Sequence, residues 1–155
     1  MDVRPSRRSG AAAVVFLVVV GLFVSSFAAA AGAGQITRRE RLFHLTNEAR
    51  AEHDRARVAL VDRLSRYARR HSQEMATRGY LFHSDSGLLG RILAPYHWTI
   101  GGENVGVGPS VDSLQAAFMA SKEHRENILR SRFDHTAIGF VRKHGSLWVT
   151  VIFYG

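Results

Sequence analysis

The chain reads as an α+β domain preceded by an export segment. Three observations carry that reading: apolar residues at helical spacing through the first half, a β-branched hairpin pattern at the end, and an uncharged apolar run near the start. Ile36 to about His53 is expected to be helical, with Phe43 and the Leu42/Leu45/Ala49 positions recurring at three- and four-residue steps. Arg55 to Leu60 is a connection ending on Val58 and Leu60. A second helix starts near Asp62, carries Leu64, Ala68, His71, Met75 and Ala76 inward, and stops at Gly79.

Tyr80 to Ser86 is extended or looped, and Leu88 to Leu93 is one helical turn or two. Pro95 to Gly102 is irregular, Glu103 to Gly108 suits a strand, and Pro109 is expected to open a helix that buries Leu114, Ala117 and Phe118. His124 to Leu129 is a further helical piece. Ala137 to Arg142 and Leu147 to Tyr154 flank Lys143-His144-Gly145-Ser146, a turn signal, and together form a C-terminal hairpin. Helices first and an antiparallel hairpin last place helices against a small sheet.

Arg4, Arg7 and Arg8 precede an uncharged stretch, Ala11 to Val24, and small residues follow from Ala28 to Gly34. That order is a secretory signal peptide, with cleavage near Ala30 or Ala33. The run falls short of the roughly 20 residues that span a bilayer. Residues 11–27, kept uncleaved, would tether the protein at a membrane. The division is therefore 1–33 as signal peptide or N-terminal anchor and 34–155 as the domain. The domain is expected to be a monomer in the cell envelope or medium.

Residues 34–155 hold 18 basic and 12 acidic residues, and only Lys122 and Lys143 among the basic ones are lysine. Codon bias of a GC-rich genome accounts for such arginine preference. An exported protein without aromatic–basic interleaving is not read as a nucleic-acid binder, although attraction to anionic wall polymer or lipid headgroups is compatible with the charge. There is no cysteine, so disulfides, thiol nucleophiles and thiolate zinc sites are excluded. There is also no GxSxG elbow, HExxH or P-loop.

His44, His53, His71 and His144 read as solvated or core-edge residues, and His97 and His135 mostly so. Three segments could carry chemistry: Phe82-His83-Ser84, Gly101-Gly102-Glu103-Asn104 and Glu123 to Leu129 with His124. Two imidazoles and a carboxylate suit a divalent metal such as zinc. Spacing alone does not show that they meet. Asn104 and Asn127 are expected to tie loops through backbone bonds, and Arg125 to make a structural ion pair.

Taken in order, the segments resemble the CAP family (cysteine-rich secretory proteins, antigen 5, pathogenesis-related 1), in its short bacterial cysteine-free branch. The resemblance rests on Leu45-Thr46-Asn47-Glu48-Ala49-Arg50, on Leu60, Leu64, Ala68, His71-Ser72 and Met75, and on Phe82-His83-Ser84. It continues through Gly102-Glu103-Asn104-Val105, Ser121 to Leu129, Ile138-Gly139-Phe140 and Trp148 to Gly155. It implies a three-layer α-β-α sandwich with a small antiparallel sheet and a cleft lined by two histidines and two acids. His83 and His124 match the histidines and Glu103 the first acid, giving His83, His124 and Glu103 as metal ligands, with Glu103 also the candidate general base. Neither Asp112 nor Glu123 is assigned as the second acid. Phe118 stands where the family usually has tryptophan, and Lys122-Glu123 where it usually has Pro-Gly.

Three functions follow as expectations. The first is a binding module for a lipid, glycan, peptide or cell-wall ligand, metal optional. The second is a metal-assisted, peptidase-like hydrolase using His83, His124 and Glu103. The third is a structural or signalling envelope protein with a vestigial cleft.

Overall fold

The chain divides into two units, Met1–Gly32 and Ala33–Gly155. The computed structural model describes residues 36–155. The expected export segment, 1–33, lies outside the described residues. Among the described residues no helix is long and apolar enough to cross a membrane.

Helix α1 (Arg38–Glu52) begins with a capping box. Thr37 Oγ1 accepts from the Glu40 amide at 3.2 Å, and Glu40 accepts from the Thr37 amide at 2.8 Å. The short strand β1 (Ala59–Leu60) follows, then α2 (Asp62–Arg78), whose buried stripe is Leu64, Ala68, His71 and Met75. Gly79 ends α2 with φ of 80°, a left-handed conformation that favours glycine. Helix α3 (Ser86–Leu93) is capped by Asp85, which accepts from the Leu88 amide. A 3-10 turn (Ala94–Tyr96) leads into strand β2 (Gly101–Gly108).

Helix α4 (Val111–Ala120) starts from Ser110, whose hydroxyl accepts from the Ser113 amide. Pro109 therefore precedes the cap and does not open the helix. Helix α5 (Lys122–Leu129) comes next, and strands β3 (His135–Lys143) and β4 (Ser146–Tyr154) complete the chain. The turn between them, His144-Gly145, has positive φ at both residues (47° and 80°), as a two-residue hairpin of right-handed twist requires.

The strand order is β1-β3-β4-β2. The hairpin pair β3–β4 and the pair β2–β4 are antiparallel, whereas β1 runs parallel to β3. That parallel pair of two residues is absent from the sequence expectation, because so short a strand carries no periodicity. Strand β4 lies at the centre and alternates between two cores. Leu147, Val149, Val151 and Phe153 pack with Leu42, Leu114, Phe118 and Ile128. Ile152 and Tyr154 pack with Leu64, Ala68 and Leu93. The molecule is thus a three-layer α-β-α sandwich, with α1, α4 and α5 on one face and α2 and α3 on the other. At Gly139, an added Cβ would fall on the backbone of Arg69. Only glycine lets α2 lie so close to β3.

Candidate functional site

Three elements bring the expected residues together. The loop after α2 carries His83 and Ser84, the edge strand β2 carries Glu103 and Asn104, and α5 carries His124 and Asn127. Glu103 is the hub. Its side chain is 4% exposed, and it accepts from the Ser84 amide at 2.8 Å and the Ser84 hydroxyl at 2.6 Å. His83 Nδ1 lies 3.0 Å from Glu103 Oε1. An ionised carboxylate only accepts, so Nδ1 carries the proton and Nε2 keeps a free lone pair. The His83 side chain is 60% exposed. A buried carboxylate orienting an exposed imidazole is the arrangement that presents a ring nitrogen to an incoming group.

His124 is joined to this hub by amides. Asn104 Nδ2 donates to the His124 carbonyl at 3.0 Å. Asn127 Nδ2 donates to Asn104 Oδ1 at 2.9 Å and lies 3.3 Å from the Glu103 carbonyl. The two asparagines thus act on loops and backbone, as expected. Burial lowers the His124 pKa from its usual value, and a second proton on nearby His83 would act in the same direction. Phe118 packs its ring 5.0 Å from the His124 ring.

The candidate second acids point elsewhere. Asp112 pairs with Arg41 at 2.6 Å, and Glu123 accepts from the Ser121 hydroxyl at 3.3 Å. Among the described residues no three His, Cys, Asp or Glu side chains are placed to hold one ion. Glu103 Oε1 and Oε2 accept from Ser84 and His83. Two imidazoles are half of a tetrahedral zinc set.

Two participants were not singled out from the sequence. Ser84 was read only as part of a segment. His71, read as a core-edge residue, is 5% exposed and stands on the other side of Glu103, its Nδ1 3.8 Å from Oε2. That nitrogen also lies 3.2 Å from Thr150 Oγ1, while Nε2 is buried without a partner among the described residues. Burial lowers the His71 pKa, with the Glu103 charge opposing the shift. Phe82 meets the His71 ring in a T-shaped contact, 5.0 Å between ring centres and 81° between planes. The signal was present in the sequence, since His71 falls on the stripe Leu64, Ala68, Met75.

The helix carrying His124 is held from behind by Arg50, which is 0% exposed. Its guanidinium donates to the carbonyls of Ala56 (2.7 Å), Ile128 (2.7 Å), Arg130 (3.1 Å) and Phe133 (2.8 Å). Asn47, three residues earlier, exchanges two bonds with the Val58 backbone. Arg125 makes no ion pair among the described residues. It donates instead to the Met119 carbonyl at 2.7 Å, because that carbonyl near the end of α4 faces it. His135 stacks on Tyr154 and pairs with Asp134, and His97 takes a left-handed turn position, both apart from the cleft.

Comparison with known proteins agrees with this architecture. A relative in Bacillus subtilis, the Uncharacterized protein YkwD, is 29% identical over 114 residues, covering 70% of this chain and 44% of its own length. The chain therefore spans less than half of that relative. An extracellular protein containing a SCP domain from Bacillus anthracis superposes with a TM-score of 0.64 at 28% identity, covering 76% of this chain and 40% of that one. An outer surface protein of Borrelia burgdorferi gives 0.67 at 16% identity over 76% of this chain and 91% of its own, and supports the fold alone. Residues 43–153 match the family described as CAP, the cysteine-rich secretory protein family, and the chain belongs to it.

Proposed function

We propose that this chain is an exported binding module whose cleft takes a lipid, glycan or peptide ligand in the cell envelope or medium. The observation that carries the reading is the state of Glu103. Its buried carboxylate is engaged by Ser84 and His83, and its service is to aim His83. A general base needs a lone pair free to take a proton from substrate or water. Three of the roughly four acceptor positions of Glu103 are taken, which weighs against the hydrolase reading. The rings left to face a ligand are the exposed His83 imidazole and the half-buried His124 imidazole. The extracellular description of the Bacillus anthracis relative supports export.

A divalent ion such as zinc would have His83 Nε2 and His124 as its protein donors. Water or the ligand itself would fill the remaining positions. The test is calorimetric titration of the protein with zinc, with lipids and with cell-wall fragments. We expect ligand binding that His83→Ala with His124→Ala weakens at least about tenfold, the scale of losing one or two good contacts. Absence of binding at millimolar ligand, or binding unchanged in the double variant, overturns the reading.

A further inference from the structure

Codon bias explains why basic residues are arginine; it does not explain where they gather. Arg63, Arg66, Arg69 and Arg70 all lie exposed on the outer face of α2, turned away from the sheet. Arg38 and Arg39, at the start of α1, extend the row. Among the described residues the acid paired with this set is Asp62, 2.9 Å from Arg39. The surface is furrowed. Three adjoining depressions of about 330, 440 and 190 Å³ run along it, the first two sharing Arg66 and Arg69 and the last two sharing Arg63, Tyr67 and Arg70. Tyr67 lies under the Arg70 guanidinium, 5.9 Å from its ring centre, and holds one fork over the groove.

We propose that this face of α2 docks a flexible linear polymer bearing phosphodiester groups. Guanidinium forks match phosphate oxygens two at a time, and steps of three or four residues space them about 4.5–6 Å apart along the helix. A furrow suits a chain better than a plane. A bilayer partner would call for an apolar wedge as well as charge. Among the described residues the large exposed hydrophobics are Ile36, Tyr80, Leu81, Leu88 and Val107, and none of them lies on α2 or lines the depressions. The surface is separate from the cleft and stands independently of what the cleft binds.

The test uses the full chain and poly(glycerol phosphate) as probe, measured by fluorescence anisotropy across a salt series. Four phosphate contacts on a flexible chain give a slope of log K against log salt of about −3. Arg63→Gln, Arg66→Gln, Arg69→Gln and Arg70→Gln together should weaken binding at least about tenfold and flatten the slope towards about −1. A control set of equal charge loss, Arg55→Gln, Arg57→Gln, Arg91→Gln and Arg142→Gln, should change binding less than about threefold. Lysine at the four α2 positions keeps the charge and should restore only part of the affinity. Equal losses in the two glutamine sets reduce the effect to net charge and overturn the proposal. So does binding of wild type to phosphatidylglycerol vesicles but not to the soluble polymer, or no binding to the polymer at low salt.

Discussion

Arg50 offers the sharpest test of how this fold builds its cleft. A fully buried cation has no carboxylate here; backbone oxygens hold it. Two of the four carbonyls, those of Ile128 and Phe133, are reached through buried bonds. Arg50→Met keeps much of the volume and removes every donor. Each buried carbonyl left without a partner costs about 1–3 kcal/mol. The two part-buried bonds, to Ala56 and Arg130, add about 0.5–1.5 kcal/mol each, because water can replace part of what is lost. The desolvation penalty that the guanidinium carries in the native state offsets some of this. The net expectation is a loss of about 3–5 kcal/mol, a large share of the 5–15 kcal/mol that holds a typical domain. With a urea dependence of about 1.5 kcal/mol per molar, the unfolding midpoint falls by about 2–3 M. The loss should centre on α5. In hydrogen exchange, the amides of residues 122–129 should lose protection more than those of α2, and ligand or zinc binding at His124 should weaken with them. A midpoint shift worth less than about 1 kcal/mol would refute the claim that these carbonyls depend on Arg50.

Four further outcomes are expected. Glu103→Gln keeps the shape but faces the Nδ1–H of His83 and the two Ser84 donors with a weaker, half-donating partner, so it should cost about 2 kcal/mol in urea unfolding and weaken binding at His83. The folded-state pKa values of His71 and His124 lie below the usual value of 6.5, burial being the leading cause for both. As pH falls below about 6.5, the unfolded chain takes up protons that these folded sites refuse; their contribution is complete above that pH and is lost as pH drops towards the folded values. Urea midpoints should therefore fall on acidification, and less steeply in His71→Gln. Gly139→Ala should cost more than about 3 kcal/mol or prevent folding, because the methyl group meets the α2 backbone and not a side chain that can swing away. Asn47→Ala should cost about 2 kcal/mol, since it breaks a reciprocal pair with a buried backbone.

Local order was readable because its causes are local. The stripe Leu64, Ala68, Met75 and the stop at Gly79 define α2 from neighbours three or four residues apart. The Lys143-His144-Gly145-Ser146 turn does the same for the hairpin. That His83 meets Glu103, with the His124 backbone tied to the next residue, Asn104, was legible only through the family resemblance. His83, Glu103 and His124 sit 20 and 21 residues apart on three elements, and no periodicity joins a loop, an edge strand and a helix. His71 shows the same limit from the other side. Its helical phase marks it as inward, but only the crossing of α2 over β4, close enough to require Gly139, sets it beside Thr150 and Glu103.

The amino-acid sequence by itself therefore determined the order and type of the main elements, the α+β class and the exclusion of thiol chemistry. These depend on residue type and short-range spacing. Tertiary structure alone decided that Glu103 accepts from Ser84 and His83, that among the described residues no three metal-ligand side chains converge, and that four arginines share one furrowed face. Each of these depends on the direction a side chain takes once distant backbones have packed, and that direction is set by the packing.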